Sequence, residues 1–248
     1  MKGSLPMKIR DSVAFITGAN RGIGLAFAQE LLAAGAGKVY AAARNPEQII
    51  LEGVHRVRLD VTKPENIVAV ARECTDVNLL INNAGIARWT GFLSPDSVDA
   101  ARAEMETNYF GPLLLSRSFA PVLAKNGGGA IVNLLSILSW VAAPSAGTYS
   151  ASKSAAWALT NWFRTALREQ GTQVVGVHVG PVDTDMASQL TLPKVKPLDL
   201  VRQVLSAIEA GRDEVIVDEW TQQVKAGLSK ETGIYLDFYP SREVAAAA

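Results

Sequence analysis

Apolar residues in this chain gather into seven short runs, at positions 13–17, 39–43, 54–59, 79–82, 130–135, 174–179 and 215–217. Short continuous runs rich in Val, Ile and Leu predict strands buried on both faces. Between them lie stretches with helical spacing, over 25–35, 64–75, 108–124 and 150–169. Strand and helix in alternation predict an α/β fold, a doubly wound parallel sheet of about seven strands with helices on both faces. In such a sheet a ligand binds at the carboxyl ends of the strands. Thr17, Arg44, Asp60, Asn82, Ser136 and Thr184 all fall at or just beyond such ends.

The first run leads into Gly18-Ala19-Asn20-Arg21-Gly22-Ile23-Gly24 and then a helical stretch. Glycines permit a tight turn and close approach of a ligand. The helix N-terminus behind them offers unpaired N–H groups and a positive dipole end, which suits a pyrophosphate. The spacing is Gly-x-x-x-Gly-x-Gly, not the commoner Gly-x-Gly-x-x-Gly. After the second strand, an acidic residue would meet the ribose 2′-hydroxyl of NAD, whereas an arginine suits the 2′-phosphate of NADP. Arg44 stands there, and Arg21 adds a cation in the first turn. The pair points to NADP(H); the plain alternative is a solvated surface arginine.

Tyr149 and Lys153 lie four apart, on one face of a helix. An ammonium beside a phenol favours the phenolate and is expected to lower the phenol pKa from about 10. Tyr149 then becomes usable as a proton donor or acceptor. Ser136 ends the fifth run, placed to hold a carbonyl oxygen beside the phenol. Taken alone, Tyr-x-x-x-Lys arises by chance in many helices.

Over residues 12–186 the chain resembles the short-chain dehydrogenases/reductases of the compact, single-domain branch. The markers are Thr17-Gly18-x-x-x-Gly22-x-Gly24, Asp60-Val61, Asn82-Asn83-Ala84-Gly85, Asn108, Ser136 and Tyr149-x-x-x-Lys153, with Ser136 thirteen positions before Tyr149. The resemblance implies a Rossmann-like fold in one domain, 1–248. It implies catalytic roles for Tyr149 as general acid, Lys153 as its pKa-depressing neighbour and ribose ligand, Ser136 on the substrate oxygen, and Asn108 on a proton-relay water. It places the cofactor on Gly18, Asn20, Arg21, Gly22, Ile23 and Gly24, with Tyr149 and Lys153. Asp60 and Val61 would contact the adenine, and Asn82, Ala84 and Gly85 would wall the adenosine. Gly180, Val182 and Thr184 would meet the nicotinamide end. Val179-Gly180-Pro181 departs from the family's Pro-Gly and bears on the local loop path. Ser139 rivals Ser136, but its spacing to Tyr149 is wrong for the family.

The 48% hydrophobic content of 248 residues suffices for a sizeable core. Formal net charge is zero, so there is no electrostatic case for nucleic acid or an anionic membrane. No apolar run approaches a membrane span and no signal-peptide core is present, so a cytoplasmic location is expected. Residues 1–8 are expected to be an unfolded leader, and Ala245 to Ala248 a frayed end. Cys74 is the only cysteine and is expected to be inert. His55 and His178 are too far apart to suggest a metal site.

Residues 184–197 correspond to the family's substrate lid, here short. Met186, Leu190 and Leu192, with Trp89, Ile137, Leu138, Trp140 and Val141, either wall an apolar pocket or pack against one another. The substrate expected is a small molecule, a hydrophobic ketone or aldehyde, or the corresponding alcohol. Trp157, Trp162 and Phe163 on the long helix either pack on the sheet or meet a second copy; the family forms homodimers and homotetramers. Two alternatives stand beside the NADP(H) reductase reading. One is an NAD-dependent alcohol or hydroxysteroid dehydrogenase. The other is a non-catalytic NADP(H)-binding regulator, which the fold alone does not exclude.

Overall fold

The computed structural model describes residues 7–236 and Phe238. Seven strands, β1 (Val13–Thr17), β2 (Lys38–Ala43), β3 (His55–Arg58), β4 (Leu79–Asn82), β5 (Ala130–Leu134), β6 (Gln173–His178) and β7 (Glu214–Ile216), form one sheet. Every pairing is parallel, in the order β3-β2-β1-β4-β5-β6-β7. This is the Rossmann-like doubly wound order, and the strand order reverses between β1 and β4. A ligand crevice is expected there, at the carboxyl ends.

The two-residue period of a strand sends neighbouring side chains to opposite faces, and helices cover both. On one face Ile16, Ile81, Val132 and Val177 pack with Phe27 and Leu31 of α1 (Gly22–Ala33) and Leu200 and Val204 of α6 (Pro197–Glu209). On the other, Phe15, Leu80, Ile131 and Val174 meet Ile67 of α2 (Pro64–Glu73) and Phe119 of α4 (Gly111–Lys125). Phe163 of α5 (Gly147–Ala166) joins this second layer. Trp162 beside it is 64% exposed, so the aromatic residues of α5 divide between core and surface. Cys74 is buried at the end of α2, and burial pushes its thiol up to about 11.

Two expectations need correction. The helix expected at 108–124 is instead α3 (Ser97–Met105), a π-helical turn (Glu106–Phe110) and then α4. The extra residue per turn re-aims Asn108, as π-turns often do at functional sites. The expected leader, 1–8, is also too long. Met7 packs against the core beside Ile9, whose N–H donates to Glu209 at 3.1 Å. Residues 1–6 and Ala245 to Ala248 lie outside the described residues. Neither α6 nor α7 (Glu219–Gly227) was expected from the apolar pattern. No described helix is long and apolar enough to cross a membrane.

Candidate active site

β1 delivers the chain into the glycine turn. Gly18 and Gly22 have φ of +66° and +54°, where glycine alone is at ease. A Cβ on Gly24 would stand 2.2 Å from the Gly18 carbonyl oxygen, so that position must be bare for α1 to seat against the turn. The N-cap residue of α1, Arg21, makes no side-chain cap, and no acidic residue occupies the first turn. The helix's positive end therefore faces the crevice without a carboxylate to neutralise it, which fits a bound anion. Thr17 and Asn83 fix the turn from below. The Thr17 hydroxyl accepts from the N–H groups of Asn83 and Ala84, both at 3.0 Å, and the Asn83 amide donates to the Thr17 carbonyl at 2.8 Å.

Other cofactor candidates divide. Arg44 is exposed past the end of β2. Asp60 accepts from both the N–H and the hydroxyl of Thr62, at 3.0 and 2.8 Å. Burial pushes its carboxyl up, but the Thr62 bonds and the Arg44 and Lys63 charges outweigh this and hold it below the ordinary carboxylate range. Val61 is buried against Gly111, while Asn20 donates weakly to Gln48 at 3.4 Å. Arg21 reaches across the crevice to Asp185 at 2.6 Å, with both side chains about three-quarters exposed. Such a pair is worth at most about 1 kcal/mol and exchanges readily for a phosphate. Asn82 is a correction. Its amide donates to Ser116 and to Asn133, inside the protein, so its side chain cannot wall an adenosine. Asn83, not Asn82, supports the turn.

Ser136, Tyr149 and Lys153 meet in one cavity of about 160 Å³ at the strand ends, lined also by Asn83, Gly85, Gly180, Val182, Thr184 and Ile23. Ser136 follows β5 and caps a 3₁₀ turn (Ile137–Ser139). Its Oγ accepts from the Leu138 N–H at 3.1 Å, while the Ser139 hydroxyl accepts from the Ser136 N–H. Ser139 is thus spent on the turn and does not line the cavity, whereas the Ser136 hydroxyl keeps its own proton to donate. His178 closes the back of Ser136: its Nδ1 lies 3.2 Å from the Ser136 carbonyl oxygen, and its ring stacks on Trp140 at 3.8 Å. Gly180 N–H donates to Asp218, the capping residue of α7, at 2.8 Å, which fixes the Val179-Gly180-Pro181 path.

Lys153 donates to the Leu134 carbonyl at 2.7 Å, and its ammonium is 5.7 Å from the centroid of the Tyr149 ring. The expected lowering of the phenol pKa is absent from this arrangement. Burial pushes Tyr149 well above the ordinary phenol range, the Ser136 hydroxyl works against that, and the Glu104 carboxylate adds to it. Burial also lowers Lys153, to about 8. Desolvation outweighs the pairing because the ammonium is aimed at a carbonyl, not at the phenol. Asn108 is buried in the π-helical turn. Its side chain grips Ile86, accepting from the N–H and donating to the carbonyl, both at 2.9 Å, and donates to Ser152 at 2.9 Å. It ties the loop after β4 to α5, one turn from Tyr149.

The remaining lining is almost entirely apolar. Residues 184–197 contribute Met186, Ala187, Leu190 and Leu192, and Val195 bridges back to Val182. Of the two arrangements left open, Trp89, Ile137 and Leu138 line the cavity, whereas Trp140 and Val141 do not and are buried, Trp140 against His178. Among the described residues no group of three or more His, Cys, Asp or Glu converges on a metal-sized site.

The short chain dehydrogenase family model matches residues 12–194. The chain belongs to that family and is an oxidoreductase of its type. The mouse dehydrogenase/reductase SDR family member 7B is 33% identical over 198 residues, which span 72% of this chain and 60% of the mouse protein. A short chain dehydrogenase from Burkholderia cenocepacia, solved in complex with NADP, is 42% identical with a TM-score of 0.87, over 91% of this chain and 95% of that one. A relative from Burkholderia phymatum, solved with NAD, shares the fold at a TM-score of 0.80 and 24% identity, over 95% of this chain and 98% of that one.

Proposed function

We propose that this oxidoreductase uses NADP(H) to reduce an apolar, uncharged ketone or aldehyde to the alcohol, or to run the reverse. The observation that carries the reading is the convergence of Tyr149, Ser136 and Lys153 on one apolar cavity beside the glycine turn. The crevice suits a dinucleotide: Gly18, Gly22 and Gly24 leave room for it, and α1 presents an uncapped N-terminus. Arg44 and Arg21 would hold the 2′-phosphate, Asp60 and Val61 the adenine, and Thr184 the carboxamide. The NADP bound to the B. cenocepacia relative agrees with this choice.

When bound, the nicotinamide supplies or accepts the hydride. The Ser136 hydroxyl donates to the substrate oxygen, since that oxygen only accepts and the bond from the Leu138 N–H leaves the hydroxyl proton free. Tyr149, kept protonated by burial, gives its proton to that oxygen as negative charge develops. Lys153 has donors beyond the one on Leu134, available for ribose hydroxyls and for reprotonating the phenol. The apolar lining excludes water from the reacting carbon. We also take the exposed Trp162 face of α5 to be where a second copy docks, giving a homodimer or homotetramer.

The test is initial-rate oxidation of NADPH and NADH against a panel of aromatic, cyclic and aliphatic ketones, with Arg44→Asp alongside. Turnover should be faster with NADPH. Arg44→Asp should raise KM for NADPH by about ten- to a hundredfold, the worth of one charge-assisted hydrogen bond, and leave NADH nearly unchanged. Equal losses for both cofactors would remove Arg44 from the 2′-phosphate.

A further inference from the structure

The cavity wall beside the phenol is aromatic. The Trp89 ring lies 5.8 Å from the Tyr149 ring, tilted by 38°. A second aromatic surface, Trp220 stacked on Phe238 at 6.0 Å and 17°, lines the same cavity. Among the described residues no Arg, Asp or Glu side chain contributes to the lining, and Lys153 is its sole cation.

Trp89 is held there against its own backbone preference. Its φ is +54°, a region that bulky L residues avoid, and among the described residues only Asp11 shares it outside glycine. The chain is clamped on both sides of it. Arg88 N–H donates to Glu104 Oε1 at 2.7 Å. The Thr90 carbonyl accepts from the Thr148 N–H at 3.3 Å and from its hydroxyl at 3.2 Å, one residue before Tyr149. Glu104 itself, on α3, is fully buried, and its Oε2 has no hydrogen-bond partner among the described residues. A buried carboxylate used on a single backbone N–H is costly to keep for stability alone. Here that N–H belongs to the residue preceding the strained tryptophan.

We propose that Trp89 is a specificity-determining residue that gives this enzyme a preference for flat, uncharged aromatic carbonyl compounds, and that Glu104 is the positioning residue that holds it in place. This rests on the reductase reading above. The substrate ring would pack against the Trp89 indole while its carbonyl lies between Ser136 and Tyr149. Glu104 does not line the cavity; it acts on Trp89 through the backbone of Arg88, and apart from that its charge raises the Tyr149 phenol.

A matched pair of ketones tests it: phenyl methyl ketone and cyclohexyl methyl ketone share a carbon skeleton and differ in planarity and aromaticity. For each, kcat/KM with NADPH and the equilibrium affinity for the protein–NADP⁺ complex are measured. The wild type should favour the phenyl ketone. Trp89→Leu should reduce that preference about three- to tenfold, the worth of one aromatic pair, mainly through KM and affinity, while Trp89→Phe retains most of it. Glu104→Leu should reduce the preference as Trp89→Leu does, and Glu104→Gln, which still accepts from Arg88, should keep it. Equal affinity for the two ketones, affinity for neither, or an unchanged ratio in Trp89→Leu overturns the proposal. A ratio lost in Trp89→Leu but kept in Glu104→Leu overturns the Glu104 part. Selective binding of the phenyl ketone without turnover counts against the reductase reading alone, and leaves Trp89 as the selector.

Discussion

Tyr149→Phe should lower kcat by about 10²- to 10⁴-fold, the usual contribution of a positioned general acid, while the protein folds normally and binds NADPH with nearly unchanged affinity. The fold is expected to survive because the phenol lines the cavity and its neighbour there, the Ser136 hydroxyl, keeps its bond from the Leu138 N–H. Removing the phenol hydroxyl strands no buried group, and the ring's contact with Trp89 remains. Ser136→Ala gives a less informative comparison. It removes the acceptor for the Leu138 N–H as well as the donor to substrate, so about 1 kcal/mol of capping stability goes with it. Single-turnover rates, thermal melts and NADPH titrations on both variants separate the two effects. Undiminished turnover in Tyr149→Phe would remove the phenol from the reaction.

The candidacy of Tyr149 as the acid was legible in the sequence; its titration was not. Spacing on a helix puts Tyr149 and Lys153 on one face, but the sign of a pKa shift depends on burial and on where the ammonium points. Here it points at Leu134. The sheet was the most legible part, because strands buried on both faces are apolar throughout and their ends show sharply. Asn82 shows the limit of a motif, since the family string does not say on which side of the sheet each asparagine's side chain ends. The π-helical turn at 106–110 was hidden because apolar spacing continues through it, and only the re-aimed Asn108 betrays it. Trp89 was legible as a candidate for the pocket wall but not in its backbone conformation, and Glu104 carried no signal at all. A lone acid on a helix reads as solvated surface, and nothing in a sequence announces a tryptophan with positive φ. In each case the missing information is three-dimensional burial.

His178 should make the protein sensitive to acid, and the effect is large enough to isolate. The ring is fully buried, and its Nδ1 faces the Ser136 carbonyl, which can only accept, so Nδ1 carries the proton and Nε2 is bare. Nε2 lies 3.7 Å from Glu214, a contact that would favour protonation, but Lys225 binds both oxygens of that carboxylate at 3.0 Å. Burial dominates and lowers the imidazole to about 3; the Ser136 carbonyl opposes it, and the Lys225 and Arg164 charges reinforce it. The unfolded chain takes up this proton near the ordinary value of about 6.5, whereas the folded protein does not. Stability is therefore complete above that value and falls by about 1.4 kcal/mol per pH unit as pH drops below it, levelling off near the folded pKa. At pH 5 the loss is about 2 kcal/mol, a figure insensitive to the folded value while that value stays well below 5. In His178→Phe the stacking on Trp140 is retained and the titration is gone. That variant should be less stable at pH 7 by about 1 kcal/mol, the unmet Ser136 carbonyl, yet overtake the wild type at about pH 6 and lead by about 1 kcal/mol at pH 5. Denaturant unfolding of both proteins from pH 7 to pH 5 reads the difference directly, since Asp60 and Asp76, whose pKa values are also shifted, contribute equally to each. A constant gap between the two curves across that range would mean that His178 takes up its proton as readily in the fold as in the unfolded chain, with Glu214 offsetting the cost of burial.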